Sequence, residues 1–162
     1  MIKKTVLIVD DCAIVRKLGS HILAKMGLNI ILASNGLEAL EKIKLESPDL
    51  VLLDIIMPKM NGYSVCRQIK SEPTIMNIPV IFCSSKNEEV DVYWAMKQGA
   101  NGYISKPVKK YELMAIMARF NIIANVKNKY SYSDQFIYKQ GCVRILSPEI
   151  ESKSNSYKFC TT

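Results

Sequence analysis

Five polar side chains in this sequence follow or end short apolar runs, and their types suit phosphoryl chemistry. Asp10 and Asp11 follow TVLIV, Asp54 follows LVLL, Ser84 ends PVIFCS, and Lys106 follows GYIS. Three carboxylates in one place repel one another unless a cation neutralises them, and all-oxygen ligands favour a hard ion such as Mg²⁺. Asp54 could then act as a carboxylate nucleophile that forms an aspartyl phosphate, while the metal and Lys106 stabilise the oxygens of the transferring group.

These residues lie close together only if the apolar runs are strands of one sheet. The runs alternate with amphipathic segments in five strand–helix repeats, which predicts a parallel sheet with helices on both faces. The predicted fold class is α/β, a flavodoxin-like doubly wound five-stranded parallel sheet with strand order 2-1-3-4-5. In such a sheet the carboxyl ends of strands one, three, four and five converge beside the point where the strand order reverses.

Turn and cap residues set the expected boundaries of these elements. The strands are predicted over residues 5–10, 28–33, 50–54, 79–84 and 102–105, and the helices over residues 13–26, 37–45, about 63–71, 88–98 and 110 to about 125. The first helix is predicted from four apolar residues at i, i+4 spacing, which are Ile14, Leu18, Ile22 and Met26. Gly27 is expected to end that helix, and the segment Ser34-Asn35-Gly36 is expected to cap the second.

Four segments resemble the receiver domains of two-component response regulators, along nearly all of residues 4–120. They are Val9-Asp10-Asp11, residues 54–62 (DIIMPKMNG), residues 79–84 (PVIFCS) and residues 102–107 (GYISKP). Each segment is a weak signal alone. In this order and at this spacing they are specific to the family.

The resemblance implies a role for each residue of the carboxylate pocket. Asp54 is similar to the phosphoacceptor, and Lys106 to the lysine that pairs with a phosphoryl oxygen. Asp11 matches a direct Mg²⁺ ligand, Asp10 one that acts largely through water, and the backbone carbonyl of Ile56 would complete the metal site together with Asp54.

The resemblance also implies a conformational switch beside the pocket. Ser84 matches the switch hydroxyl, Tyr103 matches the aromatic residue whose rotamer follows it, and the bond between Lys106 and Pro107 is usually cis in the family. Ile56 departs from the common pattern, because many relatives carry a polar residue there. An apolar side chain at this position should hinder attacking water, which predicts a longer-lived phosphoryl group.

The expected partners follow from the same resemblance. A histidine kinase or a histidine phosphotransfer protein would donate the phosphoryl group. A downstream protein target would bind the face formed by the fourth helix, the fifth strand and the fifth helix, which would include Trp94, Lys97, Tyr103, Lys109 and Tyr111. The segment over residues 93–100 (YWAMKQGA) is similar to single-domain regulators of the pilus or twitching-motility type.

Composition is that of an ordinary globular protein, with 49% hydrophobic and 23% charged residues. No secretory signal or membrane-spanning run is recognisable, so a cytoplasmic location without membrane insertion is expected. Five cysteines without CxxC pairing are expected to be free thiols in a reducing compartment, namely Cys12, Cys66, Cys83, Cys142 and Cys160.

The last part of the chain differs in character from the rest. Residues 1–125 are predicted to form the receiver domain, and residues 126–162 a polar, largely disordered extension with a short apolar patch at 142–146. The net charge of +7 leaves open a nucleic-acid-binding regulator that uses the basic extension, although the basic residues are scattered. A phosphohydrolase with an aspartate nucleophile is disfavoured, because the second Asp that haloacid-dehalogenase-type enzymes need is replaced by Ile56.

Overall fold

The computed structural model describes residues 3–86, 88–123 and 144–145. Its sheet has the strand order β2-β1-β3-β4-β5-β6. The strands are β1 (Thr5–Val9), β2 (Asn29–Ala33), β3 (Leu50–Leu53), β4 (Val80–Ser84), β5 (Gly102–Ser105) and β6 (Arg144–Ile145). The first five pair in parallel, which confirms the predicted order 2-1-3-4-5, and β6 pairs antiparallel with β5.

Five helices connect and follow the parallel strands at the predicted places. They are α1 (Ala13–Ala24), α2 (Gly36–Glu46), α3 (Gly62–Ser71), α4 (Glu89–Lys97) and α5 (Lys110–Arg119). Most boundaries agree with the sequence pattern to within one or two residues. The predicted last helix is longer than α5, and residues 124–125 lie outside the described part of the chain. The peptide bond between Lys106 and Pro107 is cis, as the family resemblance implied.

The sheet separates two apolar cores because its strands are buried on both faces. In β1, Leu7 and Val9 pack with α2, α3 and α4, whereas Val6 and Ile8 pack with α1 and α5. Strands covered on both faces read as continuous apolar runs, which is why the sequence signal for them was clear. The rigid sheet fixes where each strand ends, and therefore where the polar residues after it lie.

Only part of the apolar set that predicted α1 lies against the core, where Ile22 and Met26 pack as partly buried side chains. Ile14 is 77% exposed and Leu18 is 59% exposed, while Leu23 is fully buried. A Cβ atom at Gly19 would lie 3.2 Å from Ile8 Cδ1, so α1 approaches β1 closely there. The i, i+4 pattern therefore identified the helix, but only the second half of the pattern lies against the core.

The start of α2 is held by the cap that the sequence indicated. Asn35 Oδ1 accepts a hydrogen bond from the Glu38 amide at 3.1 Å. The Glu38 carboxylate in turn accepts bonds from the Ser34 amide, the Ser34 hydroxyl and the Lys42 ammonium. These bonds satisfy donors that a helix N-terminus would otherwise leave unpaired.

The strand β6 is a feature that the sequence did not predict, because it lies within the segment expected to be largely disordered. The remainder of that segment, residues 126–143 and 146–162, lies outside the described residues. An antiparallel strand at the edge of an otherwise parallel sheet is a common arrangement in α/β proteins. Among the described helices, none combines the length and the apolar character that a membrane span requires.

Candidate functional site

The site lies at the carboxyl edge of the parallel sheet, where backbone hydrogen bonds continue just past the strands. The Asp10 amide donates to the Ala33 carbonyl at 3.2 Å, and the Asp54 amide donates to the Val9 carbonyl at 2.9 Å. The Lys106 amide donates to the Ser84 carbonyl at 2.8 Å. These bonds extend the sheet register into the loops and bring the predicted residues to one place.

Three carboxylates converge at this edge. One oxygen from each of Asp10, Asp11 and Asp54 lies within 4.8 Å of the others. Asp10 is 3% exposed and Asp54 is 5% exposed, whereas Asp11 is open to solvent. The predicted acidic cluster is therefore present, with two of its members withdrawn from water.

Lys106 reaches both buried carboxylates. Its Nζ lies 2.5 Å from Asp10 Oδ2 and 2.9 Å from Asp54 Oδ2. Burial by itself would lower the pKa of this ammonium group, but the hydrogen bonds and charges of Asp54 and Asp10 outweigh burial and raise its pKa. Lys106 is thus held as a cation between two carboxylates at neutral pH.

The second oxygen of each buried carboxylate has a backbone partner. Asp10 Oδ1 accepts from the Cys12 amide at 2.9 Å, and Asp54 Oδ1 accepts from the Ile55 amide at 2.7 Å. These bonds orient both side chains. Each group still has lone pairs to offer, since a carboxylate can accept about four hydrogen bonds.

Arg16 and Gly62 also build the site, although neither was singled out from the sequence. The Arg16 guanidinium donates to the backbone carbonyls of Asp10 and Asp11, at 2.6 Å and 3.0 Å. A Cβ atom at Gly62 would lie 2.0 Å from the Asp54 carbonyl oxygen, so only glycine fits against this backbone. Gly62 ends the segment DIIMPKMNG that carries the family resemblance, but the sequence did not indicate this close approach.

Ser84 and Tyr103 both bond the backbone of one residue, Lys86, in the loop after β4. Ser84 Oγ accepts a hydrogen bond from the Lys86 amide at 3.3 Å, and the Tyr103 hydroxyl donates to the Lys86 carbonyl. Both side chains are buried. Burial raises the pKa of the Tyr103 phenol, which therefore stays a neutral donor. The predicted switch pair is thus connected by this loop.

Comparison with known proteins decides the family. The model of the response regulator receiver domain family matches residues 6–118. This chain belongs to that family. It spans the receiver fold together with a segment beyond the matched residues.

Relatives of this receiver include both short and long proteins. Protein PilH of Pseudomonas aeruginosa is 37% identical over 67% of this chain and 90% of PilH. The alkaline phosphatase synthesis transcriptional regulatory protein PhoP of Bacillus subtilis is 35% identical over 75% of this chain and 51% of PhoP. The chain spans about half the length of PhoP and of the probable transcriptional regulator ycf27 of Guillardia theta, of which it covers 49%.

Solved structures agree with the receiver assignment. The chemotaxis protein CheY4 of Vibrio cholerae superposes with a TM-score of 0.70 at 25% identity, over 74% of this chain and 99% of CheY4. The signal receiver domain of a histidine kinase from Syntrophus aciditrophicus gives a TM-score of 0.68 at 33% identity, over 80% of this chain and 97% of that domain.

Four of the five residues predicted for the target-binding face of this receiver are exposed. Trp94 is 53% exposed and Tyr111 is 57% exposed, and Lys97 and Lys109 are also exposed. Tyr103 does not contribute to this surface, because its side chain is only 1% exposed and its hydroxyl is bonded inward to the loop after β4.

Aromatic rings and ammonium groups are interleaved on this exposed face. The Tyr93 and Trp94 rings meet edge to face at 5.8 Å. Lys97 Nζ lies 5.4 Å from the centre of the Tyr93 ring, and Lys109 Nζ lies 5.7 Å from the centre of the Tyr111 ring.

The three described cysteines are free thiols, as predicted. Cys12 is exposed, and Cys66 and Cys83 are buried. The other two cysteines, Cys142 and Cys160, lie outside the described residues.

Proposed function

We propose that this receiver is a single-domain phospho-switch that accepts a phosphoryl group on Asp54 from a histidine kinase or a histidine phosphotransfer protein. The observation that carries the proposal is the position of Lys106, whose ammonium lies within hydrogen-bonding distance of Asp54 and of a second buried carboxylate. The chain acts as an enzyme only on itself, in its own phosphorylation and dephosphorylation.

The proposed transfer is a displacement at phosphorus. An Asp54 carboxylate oxygen forms the new P–O bond as the bond from phosphorus to the donor's histidine nitrogen breaks, and that nitrogen leaves with the electron pair. Lys106 neutralises charge on the phosphoryl oxygens, a role that suits a cation already held beside Asp54. The amide of Ile55 keeps the Asp54 side chain oriented during the approach.

The acidic cluster fits a divalent metal ion. Asp10, Asp11 and Asp54 offer only oxygen ligands, and Asp11 opens the cluster to solvent. We propose that these three residues and the backbone carbonyl of Ile56 hold Mg²⁺, which supplies charge neutralisation for the phosphoryl oxygens.

The proposed switch runs from Asp54 to the exposed face through Ser84 and Tyr103. A phosphoryl group on Asp54 offers new acceptors to the Ser84 hydroxyl. Movement of Ser84 would disturb the backbone of Lys86, because Ser84 Oγ accepts from the Lys86 amide and the Tyr103 hydroxyl donates to the Lys86 carbonyl. Tyr103 would then change its position, and the surface that carries Trp94 and Lys97 would change with it.

The output of the proposed switch is altered binding of another protein. Exposed Trp and Tyr side chains are enriched at protein-binding surfaces, and the lysines beside them give this face a positive charge that an acidic partner would complement. PilH is matched over 90% of its length, so it has little chain beyond the receiver, which agrees with an output through protein contacts. Receivers of this kind signal by a difference in partner affinity between two conformations.

The test is phosphorylation by acetyl phosphate with Mg²⁺, followed by intact mass measurement. We expect one phosphoryl adduct on the wild-type chain, and none without Mg²⁺ or in Asp54→Asn. The matched control is Asp49→Asn, since Asp49 is a carboxylate outside the pocket that pairs with Lys4. An adduct that persists in Asp54→Asn, or no adduct on the wild type, would contradict the assignment.

A further inference from the structure

The strand β6 lies outside the residues that the family model matches, which end at residue 118. It pairs with β5, the strand that would otherwise form the edge of the parallel sheet. Ile145 is opposite Gly102, and Arg144 is opposite Tyr103. This chain therefore adds its own antiparallel strand at an edge that belongs to the receiver core.

An unpaired β5 edge would be open to pairing with other chains. The strand is parallel to β4 on one side, through Gly102 opposite Ile81 and Ser105 opposite Ser84. Its other side presents backbone donors and acceptors, which attract any extended segment unless they are covered. In this structure β6 covers them at the level of Gly102 and Tyr103.

The chain between the receiver and β6 is long enough for the pairing to occur within one molecule. The described part of the receiver ends at Ile123, and residues 124–143 connect it to Arg144. Twenty residues can span up to ~66 Å when extended, several times the length of a four-residue strand. A tether of this kind gives an effective concentration on the order of millimolar, so a free segment in solution competes poorly.

The covered edge adjoins the elements that carry the proposed switch. The same strand contains Tyr103 and leads directly to Lys106, and α4 packs beside it with its exposed aromatic side chains. An occupant of this edge therefore stands between β5 and any molecule that approaches from that side of the sheet.

We propose that the β5 edge is a strand-accepting surface and that its occupant is the segment Arg144–Ile145 of the same chain. A partner protein, or a second copy, that adds a strand at this edge must first displace the segment. The extension thus restricts access to one side of the receiver.

Amide hydrogen exchange on the full chain tests the pairing. Proline lacks the amide proton that a ladder needs, so we compare the wild type with the double variant Arg144→Pro, Ile145→Pro. The matched control is Arg144→Lys, Ile145→Val, which keeps both amides and the charge. We expect peptides covering 102–105 to exchange ~10-fold faster or more in the proline variant only, with β1 peptides unchanged as an internal reference.

Two results would overturn the proposal. One is equal exchange at 102–105 in the wild type and the proline variant. The other is a dimer, seen by sedimentation, that dissociates on dilution while the amides of residues 102–105 lose their protection. In that case the strand that covers β5 would come from a second copy. If the proline variant unfolds globally, NMR on the wild type replaces it. Contacts between the backbones of residues 102–103 and 144–145 are then expected, and their absence rejects the pairing.

Discussion

At the scale of single residues, the arrangement around Lys106 dominates the site. Two buried carboxylates without a cation would carry a large desolvation cost. The ammonium of Lys106 offsets that cost while leaving each carboxylate with lone pairs that can bind other groups. The same residue therefore serves the stability of the chain and its proposed chemistry.

Removal of this cation should destabilise the protein. Lys106→Met leaves Asp10 and Asp54 buried without their partner, so we expect the free energy of unfolding to fall by about 2–4 kcal/mol in EDTA. Mg²⁺ should restore more stability in this variant than in the wild type, because it would replace the lost positive charge. Urea unfolding in EDTA and in Mg²⁺ measures both effects.

The control for this experiment is Lys4→Met. Lys4 forms an exposed pair with Asp49 at 2.7 Å, and its side chain is 49% exposed. Exposed pairs contribute less than about 1 kcal/mol, so the loss should be small and insensitive to Mg²⁺. Equal losses in the two variants would show that burial of the Lys106 pairs has no special energetic role.

A second residue, Ile56, is predicted to control how long a phosphoryl group lasts. Its side chain is 54% exposed, two positions after Asp54 in the chain. Ile56→Asn should admit and orient attacking water, so we expect phosphoryl loss to become several-fold faster. Intact mass followed over time after removal of acetyl phosphate gives the rate, and Leu45→Asn, at a residue that is 83% exposed on α2, is the control. If the rate of phosphoryl loss is unchanged in Ile56→Asn, Ile56 does not control the lifetime of the phosphoryl group.

At the scale of elements, the N-terminus of α2 shows how a local motif adds stability. The Glu38 carboxylate accepts hydrogen bonds from Lys42 and from the backbone and side chain of Ser34, which lower its pKa from 4.5 to about 2. The group is partly exposed, so solvent screening reduces the benefit. A lowered pKa in the folded state stabilises the protein above the unfolded pKa, and the stabilisation is lost as the pH falls through the folded value.

Glu38→Gln tests this contribution through its pH dependence. We expect a loss of about 1 kcal/mol at pH 7, after allowance for screening. The difference from wild type should shrink as the pH falls from about 4.5 towards 2, where the wild-type carboxylate also becomes neutral. Urea unfolding at several pH values measures it, with the exposed Glu41→Gln as control. A difference that does not change with pH would mean that the charge is unimportant.

At the scale of the whole molecule, the two apolar cores hold the sheet rigid, and the groups proposed to act in signalling lie outside these cores. The carboxyl edge carries the acidic cluster, and the exposed face around α4 and α5 carries aromatic and basic groups. The net charge of +7 is spread along the chain, which favours protein contacts over tracking of a nucleic-acid backbone.

Binding to duplex DNA distinguishes the nucleic-acid alternative from the phospho-switch with a protein target. We expect the full chain to bind no tighter than ~0.1 mM at physiological salt, the weak end of non-specific binding. Fluorescence anisotropy across a salt series measures the affinity and its slope. A micromolar Kd with a steep salt dependence would favour the nucleic-acid-binding regulator.

Much of the fold and the site was predictable because it depends on local patterns. Continuous apolar runs identified the five parallel strands, and polar residues directly after them identified Asp10, Asp54 and Lys106. The α1 helix shows the limit of this reasoning. Its apolar spacing predicted a helix, yet Ile14 and Leu18 are exposed while Leu23 is fully buried, since contact with the sheet decides which side chains are covered.

The sequence by itself determined which residue types stand at the strand ends, and hence the acidic cluster with its lysine. Only the tertiary structure decided that Lys106 bridges residues 96 and 52 positions away, that Tyr103 points inward, and that Gly62 lies against the Asp54 backbone. Likewise, only folding places Arg144 beside β5. These are contacts between distant parts of the chain, and they arise from the packing of whole elements, which no local pattern encodes.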